Sequence, residues 1–307
     1  MSWLGLVIIS ALAGALHIYI DNYIADYYFK GRGSVSQKLF FAFGFAISGL
    51  IIAAVSGFDF LALDPKTPLL LFLSGAITSL AGIPYYKMLE IDDTTNLGIF
   101  MQIAPILYLI FGCLFLGQSI SLMQLLAFLI IMMAPLLIVL NTRKRSRKTE
   151  LRAIFYVFLY ILISVLGNLL FVKETTVEVS FLGSMALVMM GKGFGNAIII
   201  GFRPKWIKRF TKVYKSSKRK ILGPLFATLI FAVMKTFAYD ATLLLAPSVA
   251  LASAALDSAE PITIFFMGII LTLIWPKFGR EKLNRKSVLV HLAATVLVTV
   301  GIVLLQI

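Results

Sequence analysis

Residues Met123–Leu140 read MQLLAFLIIMMAPLLIVL, eighteen positions without one charged side chain. A helix needs about 20 mostly apolar residues to cross the hydrocarbon of a bilayer. The run does not alternate apolar with polar residues, as the roughly 10-residue strands of an outer-membrane barrel do. Lipid offers no partner to a backbone N–H or C=O, so a spanning segment outside a closed barrel must be a helix. This stretch predicts a transmembrane helix, and nine more runs of the same kind surround it.

The ten predicted spans are 3–20, 39–57, 67–86, 96–117, 120–140, 153–172, 181–202, 222–245, 249–275 and 287–306. Of 307 residues, 60% are hydrophobic and 14% charged, and mean hydropathy is +0.96. A soluble domain carries about 25% charged residues. An ordinary soluble enzyme, a disordered chain and a disulfide scaffold are excluded. The single cysteine, Cys113, lies within a span and leaves no intramolecular disulfide to form. The first span reads as a retained helix and not a cleaved signal peptide, because Met1–Ile20 contains no Lys or Arg and a signal peptide opens on a basic region.

The net charge of +14 is unevenly placed. Alternate loops, beginning with the one after span one, hold 24 of the 28 basic residues when Lys38, at the approach to span two, is counted with its loop. The opposite face has Lys66 and Lys173, while Lys192 and Lys235 are inside spans. Basic residues collect on cytoplasmic loops, so both termini are expected outside a cell membrane. The charge then needs no nucleic acid to explain it, and no nucleic-acid reading module is present. Trp3, Trp206 and Trp275 all fall at predicted interfaces, where amphipathic rings settle. In the loop after span seven, Trp206, Phe210, Val213 and Tyr214 recur at helical spacing, with Lys205, Lys208, Arg209, Lys212 and Lys215 between them. Two readings stay open: a helix lying on the anionic inner leaflet through 203–220, or a basic loop that only enforces topology.

The chain also repeats itself. Span four reads Ala104-Pro105-Ile106 with Gly112 seven residues after the proline, and span nine reads Glu260-Pro261-Ile262 with Gly268 seven after. The preceding spans end in Tyr85-x-x-Met-Leu and Tyr239-x-x-Thr-Leu, and one more span follows each pair. The organisation is two five-helix repeats, 1–140 and 153–307, joined by a basic linker at 141–152. Five is odd, so the second repeat enters the membrane inverted. Inverted repeats build many transporters, with the site near the midplane.

With Tyr85 and Tyr86 before Pro105, the turn Gly117-Gln118-Ser119-Ile120-Ser121, and in the second half Tyr239, Pro261 and Gly279-Arg280-Glu281-Lys282-Leu283, the sequence resembles the drug/metabolite transporter superfamily, in its ten-helix family of two EamA-type repeats. The family commonly places an acidic residue soon after that glycine; Glu281 fits and Gln118 departs. The resemblance implies export of small metabolites and a central cavity walled in part by helices three, four, eight and nine. It also implies cytoplasmic termini, contrary to the charge count.

Ionisable groups inside spans are the strongest pointers to a site, since a charge at the helix centre costs roughly 2.5–3.5 kcal/mol on the insertion scale. Lys192 lies about 16 Å into span seven at 1.5 Å per residue. Glu260 is at similar depth in span nine, with Asp257 one turn away. Lys235 and Tyr239 share a face of span eight. The candidate substrate-binding residues are Tyr86, Gln102, Lys192, Lys235 and Tyr239. Asp257 and Glu260 are the candidate coupling pair, with Glu260 the proton carrier. The competing reading is a Lys–acid pair that locks helices together. Pro105 and Pro261 are candidate hinges, because each frees the carbonyl four residues back, or they shape static bends. Gly191-Lys192-Gly193-Phe194-Gly195-Asn196 lacks the spacing of a phosphate loop and reads as small residues for close helix packing. His17 and His291 suggest no metal site. No catalytic residue, cofactor or metal is expected.

The sequence therefore predicts an all-α membrane protein of ten transmembrane helices in two inverted repeats. The expected function is secondary transport, exporting a small polar or zwitterionic metabolite, an amino acid being the leading candidate. Energy would come from an ion gradient or the substrate's own, and the protein would be a monomer or homodimer. The alternatives are a lipophilic-cation exporter and a non-transporting membrane scaffold.

Overall fold

Long apolar runs become helices here because a helix satisfies its own backbone. The computed structural model describes residues 2–30, 34–89, 104–142, 147–175, 179–217, 219–274 and 285–304. Twelve α-helices occur among them: α1 Trp3–Tyr23, α2 Lys38–Val55, α3 Lys66–Leu80, α4 Gly82–Leu89, α5 Ala104–Leu116, α6 Leu122–Thr142, α7 Arg147–Thr175, α8 Phe181–Gly201, α9 Pro204–Ser216, α10 Leu222–Leu245, α11 Val249–Ile274 and α12 Arg285–Leu304. No strand occurs among the described residues. Among the described residues, seven helical segments are long and apolar enough to cross a membrane: Trp3–Tyr28, Val35–Val55, Lys66–Lys87, Phe155–Thr175, Phe181–Gly201, Leu222–Leu245 and Val249–Leu271. The chain is an all-helical protein of the multi-pass membrane class. Helices α5, α6 and α12 lie at the other three predicted spans. Helix α7 starts at Arg147, inside the segment read as a linker.

Two compact units make up the chain, and each draws on both sequence halves. Unit 2 comprises Ile20–Glu90 and Leu159–Val233. Its centre is α8, packed against α2 and α3. Glycines make this possible. Gly191 and Gly195 lie four apart on one face and approach the carbonyls of Phe72 and Ala76 on α3. Gly193, half a turn around, meets Ala42 and Ala46 on α2. The stretch that resembles a phosphate loop is thus a two-sided packing face, as its place within a span indicated.

Helix α9 in the same unit realises the amphipathic pattern of the 203–220 segment. Trp206 packs with Val35, Phe41 and Tyr86. Phe210, Val213 and Tyr214 pack with Ile24, Phe29, Ile221 and Leu225. Lys205, Lys208, Arg209, Lys212 and Lys215 are exposed. The apolar face therefore docks on the protein's own core, and the charged face is what it presents outward.

Unit 1 comprises Met1–Tyr19, Ile91–Phe158 and Met234–Ile307. Here α11 packs against α5, α6 and α12. The first turns of α11 are rich in Ala and Ser and fully buried from Val249 to Leu256, since small side chains let helices approach closely. Val7 packs on Ala255 and Leu256, and the Tyr19 hydroxyl donates to the Ile264 carbonyl at 2.9 Å. Gln118 has a structural role of its own. The chain turns on Gly117 at φ +63°, and the Gln118 side-chain oxygen accepts the Val249 N–H at 3.1 Å. Ser248 accepts from Leu251 N–H at 3.3 Å. Two of the orphan donors at the start of α11 are thereby met.

Candidate functional site

Lys235 on α10 and Glu260 on α11 form the charged centre of unit 1. The ammonium donates to both carboxylate oxygens, at 2.6 and 2.8 Å. Their side chains are 22% and 11% exposed. Sequence position put both on apolar helices, and the helical period turns both inward. Gly14 on α1 leaves the space: a Cβ there would lie 2.7 Å from Glu260 Oε1 and 3.3 Å from the Lys235 stem. One turn before Glu260, Asp257 accepts a short hydrogen bond from the Ser253 hydroxyl. One turn after Lys235, the Tyr239 hydroxyl donates to that of buried Tyr108 on α5, at 3.3 Å. Helix α11 runs unbroken through Pro261, which carries no N–H of its own.

The structure thus gathers Lys235, Tyr239, Asp257 and Glu260 in one unit. Lys192 belongs to unit 2, half-buried, with its ammonium 6.0 Å from the centre of the Phe45 ring. Tyr86, also in unit 2, is buried, and its hydroxyl donates to Asp21 Oδ2 at 3.4 Å. Glu260, expected as the freer proton carrier, is the acid engaged by a lysine, while Asp257 is held by a neutral hydroxyl. Pro105 is buried at the start of α5. Gln102, Trp275 and the Gly279–Leu283 segment lie outside the described residues.

Sequence reasoning missed a second polar centre, in unit 2. Lys38 is buried, and its ammonium donates to the Ser79 carbonyl at 2.8 Å and to Asn196 Oδ1 at 2.6 Å. Asp21 is buried and also accepts from the Thr228 hydroxyl at 2.8 Å. Both residues sit at span ends, where hydropathy alone assigns a charge to the loop. The available signal was register: Lys38, Phe41, Ala42, Phe45 and Gly49 share one helical face.

No family model matches the chain, and no curated protein is similar to it. Twenty-eight chains of solved structures match. One of them, described only as a protein crystal structure, aligns over 99% of this chain and 98% of its own, with a TM-score of 0.60 and 13% identity. At that identity the likeness establishes the fold alone, over essentially the full length.

Proposed function

We propose that the protein is a secondary transporter of the drug/metabolite class, with ten membrane spans in two inverted repeats, which exports a small zwitterionic metabolite. The observation that carries this reading is the Lys235–Glu260 pair within apolar helices. A zwitterion can exchange with such a pair charge for charge. Its ammonium takes Glu260 and its carboxylate takes Lys235, so neither protein charge is stranded. Asp257, one turn away and bonded to Ser253, is the coupling acid: it can carry a proton without breaking the pair. Tyr239 and Tyr108 supply a hydrogen-bonded pair of hydroxyls in the same unit. The sequence motifs shared with EamA-type repeats support the same class. The exposed basic face of α9 faces the anionic headgroups of the inner leaflet.

One observation favours a second reading. This centre sets two carboxylates, Asp257 and Glu260, against one lysine, and buried Asp240 adds a further carboxylate to unit 1, a balance that suits a lipophilic cation. Transport by reconstituted protein decides between them. Uptake of neutral amino acids into proteoliposomes, saturable and lost in Asp257→Asn only when a pH gradient drives it, is the expected result. Transport of lipophilic cations alone would establish the second reading. Transport of neither class, by protein that remains folded, refutes both and leaves a scaffold.

A further inference from the structure

The polar centre of unit 2 is not used by the transport site just proposed. Lys38 opens α2, yet it is only 4% exposed. Its two hydrogen bonds go to neutral acceptors, the Ser79 carbonyl and the Asn196 carboxamide. Asp21 is the opposite charge that acts on it, and Lys192 is a like charge that opposes it. Asp21 is itself engaged by the hydroxyls of Thr228 and Tyr86. A buried charge is costly unless it is paired as well as hydrogen-bonded. The ammonium has three hydrogens, and two are used.

The residue before it adds an independent observation. Gln37 is completely buried, and among the described residues neither its Oε1 nor its Nε2 has a hydrogen-bond partner. Buried carboxamides are almost always satisfied, and an orphan marks a guest, an ion or a water. Gln37 ends the short turn Ser34–Gln37, which packs against α4 and α9. Beside this turn α4 begins at Gly82, where any side chain would overlap the Lys38 ammonium. The position is therefore kept open for the charge.

We propose that Lys38, Gln37 and Asn196 form an anion site in unit 2, separate from the Lys235–Glu260 centre, which takes a small 2-hydroxy monocarboxylate. The third Lys38 hydrogen and the Gln37 Nε2 donate to the two carboxylate oxygens. Gln37 Oε1 accepts from the neighbouring hydroxyl of the ligand. Lys38 and Lys192, set against Asp21, leave one net positive charge to match a single negative charge, and the Asp21 carboxylate disfavours a dianion. A simple anion gains nothing at Lys235, because taking that lysine strands Glu260.

The test uses purified full-length protein and L-lactate, acetate and inorganic phosphate at equal ionic strength. Binding is read by thermal unfolding and by tryptophan fluorescence, to which Trp206 contributes from the neighbouring cluster. Lactate is expected to bind saturably, acetate more weakly and phosphate not at all. Lys38→Gln should weaken lactate about ten- to a hundredfold, the equivalent of one charge-assisted hydrogen bond, and Lys38→Arg should retain most of the affinity. Gln37→Leu should unfold at a higher temperature when empty and yet bind lactate less well, a combination that a purely structural amide does not give. Absence of saturable lactate binding overturns the proposal, as does wild-type affinity in folded Lys38→Gln. If Lys38→Gln does not fold, Gln37→Leu decides, and lowered stability or unchanged affinity there overturns it. Loss of lactate binding in folded Lys235→Gln places the anion at Lys235 and overturns it too.

Discussion

Breaking the Lys235–Glu260 pair separates its structural role from its functional one. At 2.6–2.8 Å and an effective dielectric near 20, the gross attraction is roughly 6 kcal/mol. Desolvation of both ions offsets much of that, but removing one partner leaves the other buried and uncompensated, at about 3–5 kcal/mol. Glu260 is the more buried of the two, so Lys235→Met, which strands the carboxylate, should cost more than Glu260→Gln. A lysine stem has the freedom to carry its stranded charge toward water. Replacing both together, as Lys235→Met with Glu260→Leu, should restore most of the loss, because well-packed apolar residues often match or exceed a buried pair. The assay is reversible unfolding in micelles for the wild type, the singles and the double, analysed as a thermodynamic cycle. A coupling energy above about 2 kcal/mol is expected. Singles that each cost under about 1 kcal/mol and simply add would refute the argument, since that is how an exposed pair behaves. Transport then reads the second role: the double variant should be folded and inactive toward amino acids. Full transport by the double would show that the pair only joins α10 to α11.

Gly191→Ala places a Cβ against the Phe72 carbonyl and should destabilise by about 1–3 kcal/mol, whereas Gly201→Ala, with nothing within 4 Å, should be neutral or slightly stabilising; thermal unfolding of the two side by side checks this. Gln118→Leu removes the acceptor for Val249 N–H and should cost about 1 kcal/mol, as loss of a cap does, while Gln118→Glu should be tolerated because a carboxylate suits a helix N-terminus; both are read by the same measurement. In a Cys113-free background, single cysteines placed in 141–152 and 203–221 should resist an impermeant thiol reagent added to intact cells, and labelling of 203–221 from outside would reverse the orientation.

Helical class and the positions of seven apolar helices were legible because each long apolar run leaves the chain no alternative in lipid. The two-sided use of Gly191, Gly193 and Gly195 was legible in kind, as packing, but the partner helices were not: a glycine records that something approaches closely and not what. The α9 pattern was legible as an amphipathic helix. Its apolar face turned out to meet Ile24, Phe29, Ile221 and Leu225, and periodicity cannot distinguish a core from a bilayer, since both reward the same surface. Lys235 and Glu260 stood out as charges deep inside apolar spans. Depth along the membrane says nothing about lateral position, and Lys192 belongs to the other unit.

Lys38 is the instructive miss. Counted by hydropathy, it belonged to a basic loop and helped set orientation. Counted by register, it lies on the face of α2 that Phe41, Ala42, Phe45 and Gly49 bury. The two counts weigh different things. A topology rule needs the number of charges near each membrane surface, and withdrawing Lys38 still leaves 23 against two, so the orientation argument survives. A site argument needs the direction of each charge, and there one residue matters. The end of a span is where the two conflict most, because the last turn is apolar enough to be packed and close enough to water to be discounted. Asp21, at the far end of the first predicted span and on the buried stripe that includes Gly14 and Ile18, shows the same thing with opposite charge. Charged residues at span ends that fall on the buried helical stripe are therefore site candidates in their own right, and in this chain they supply an entire polar centre that a search confined to mid-span charges passes over.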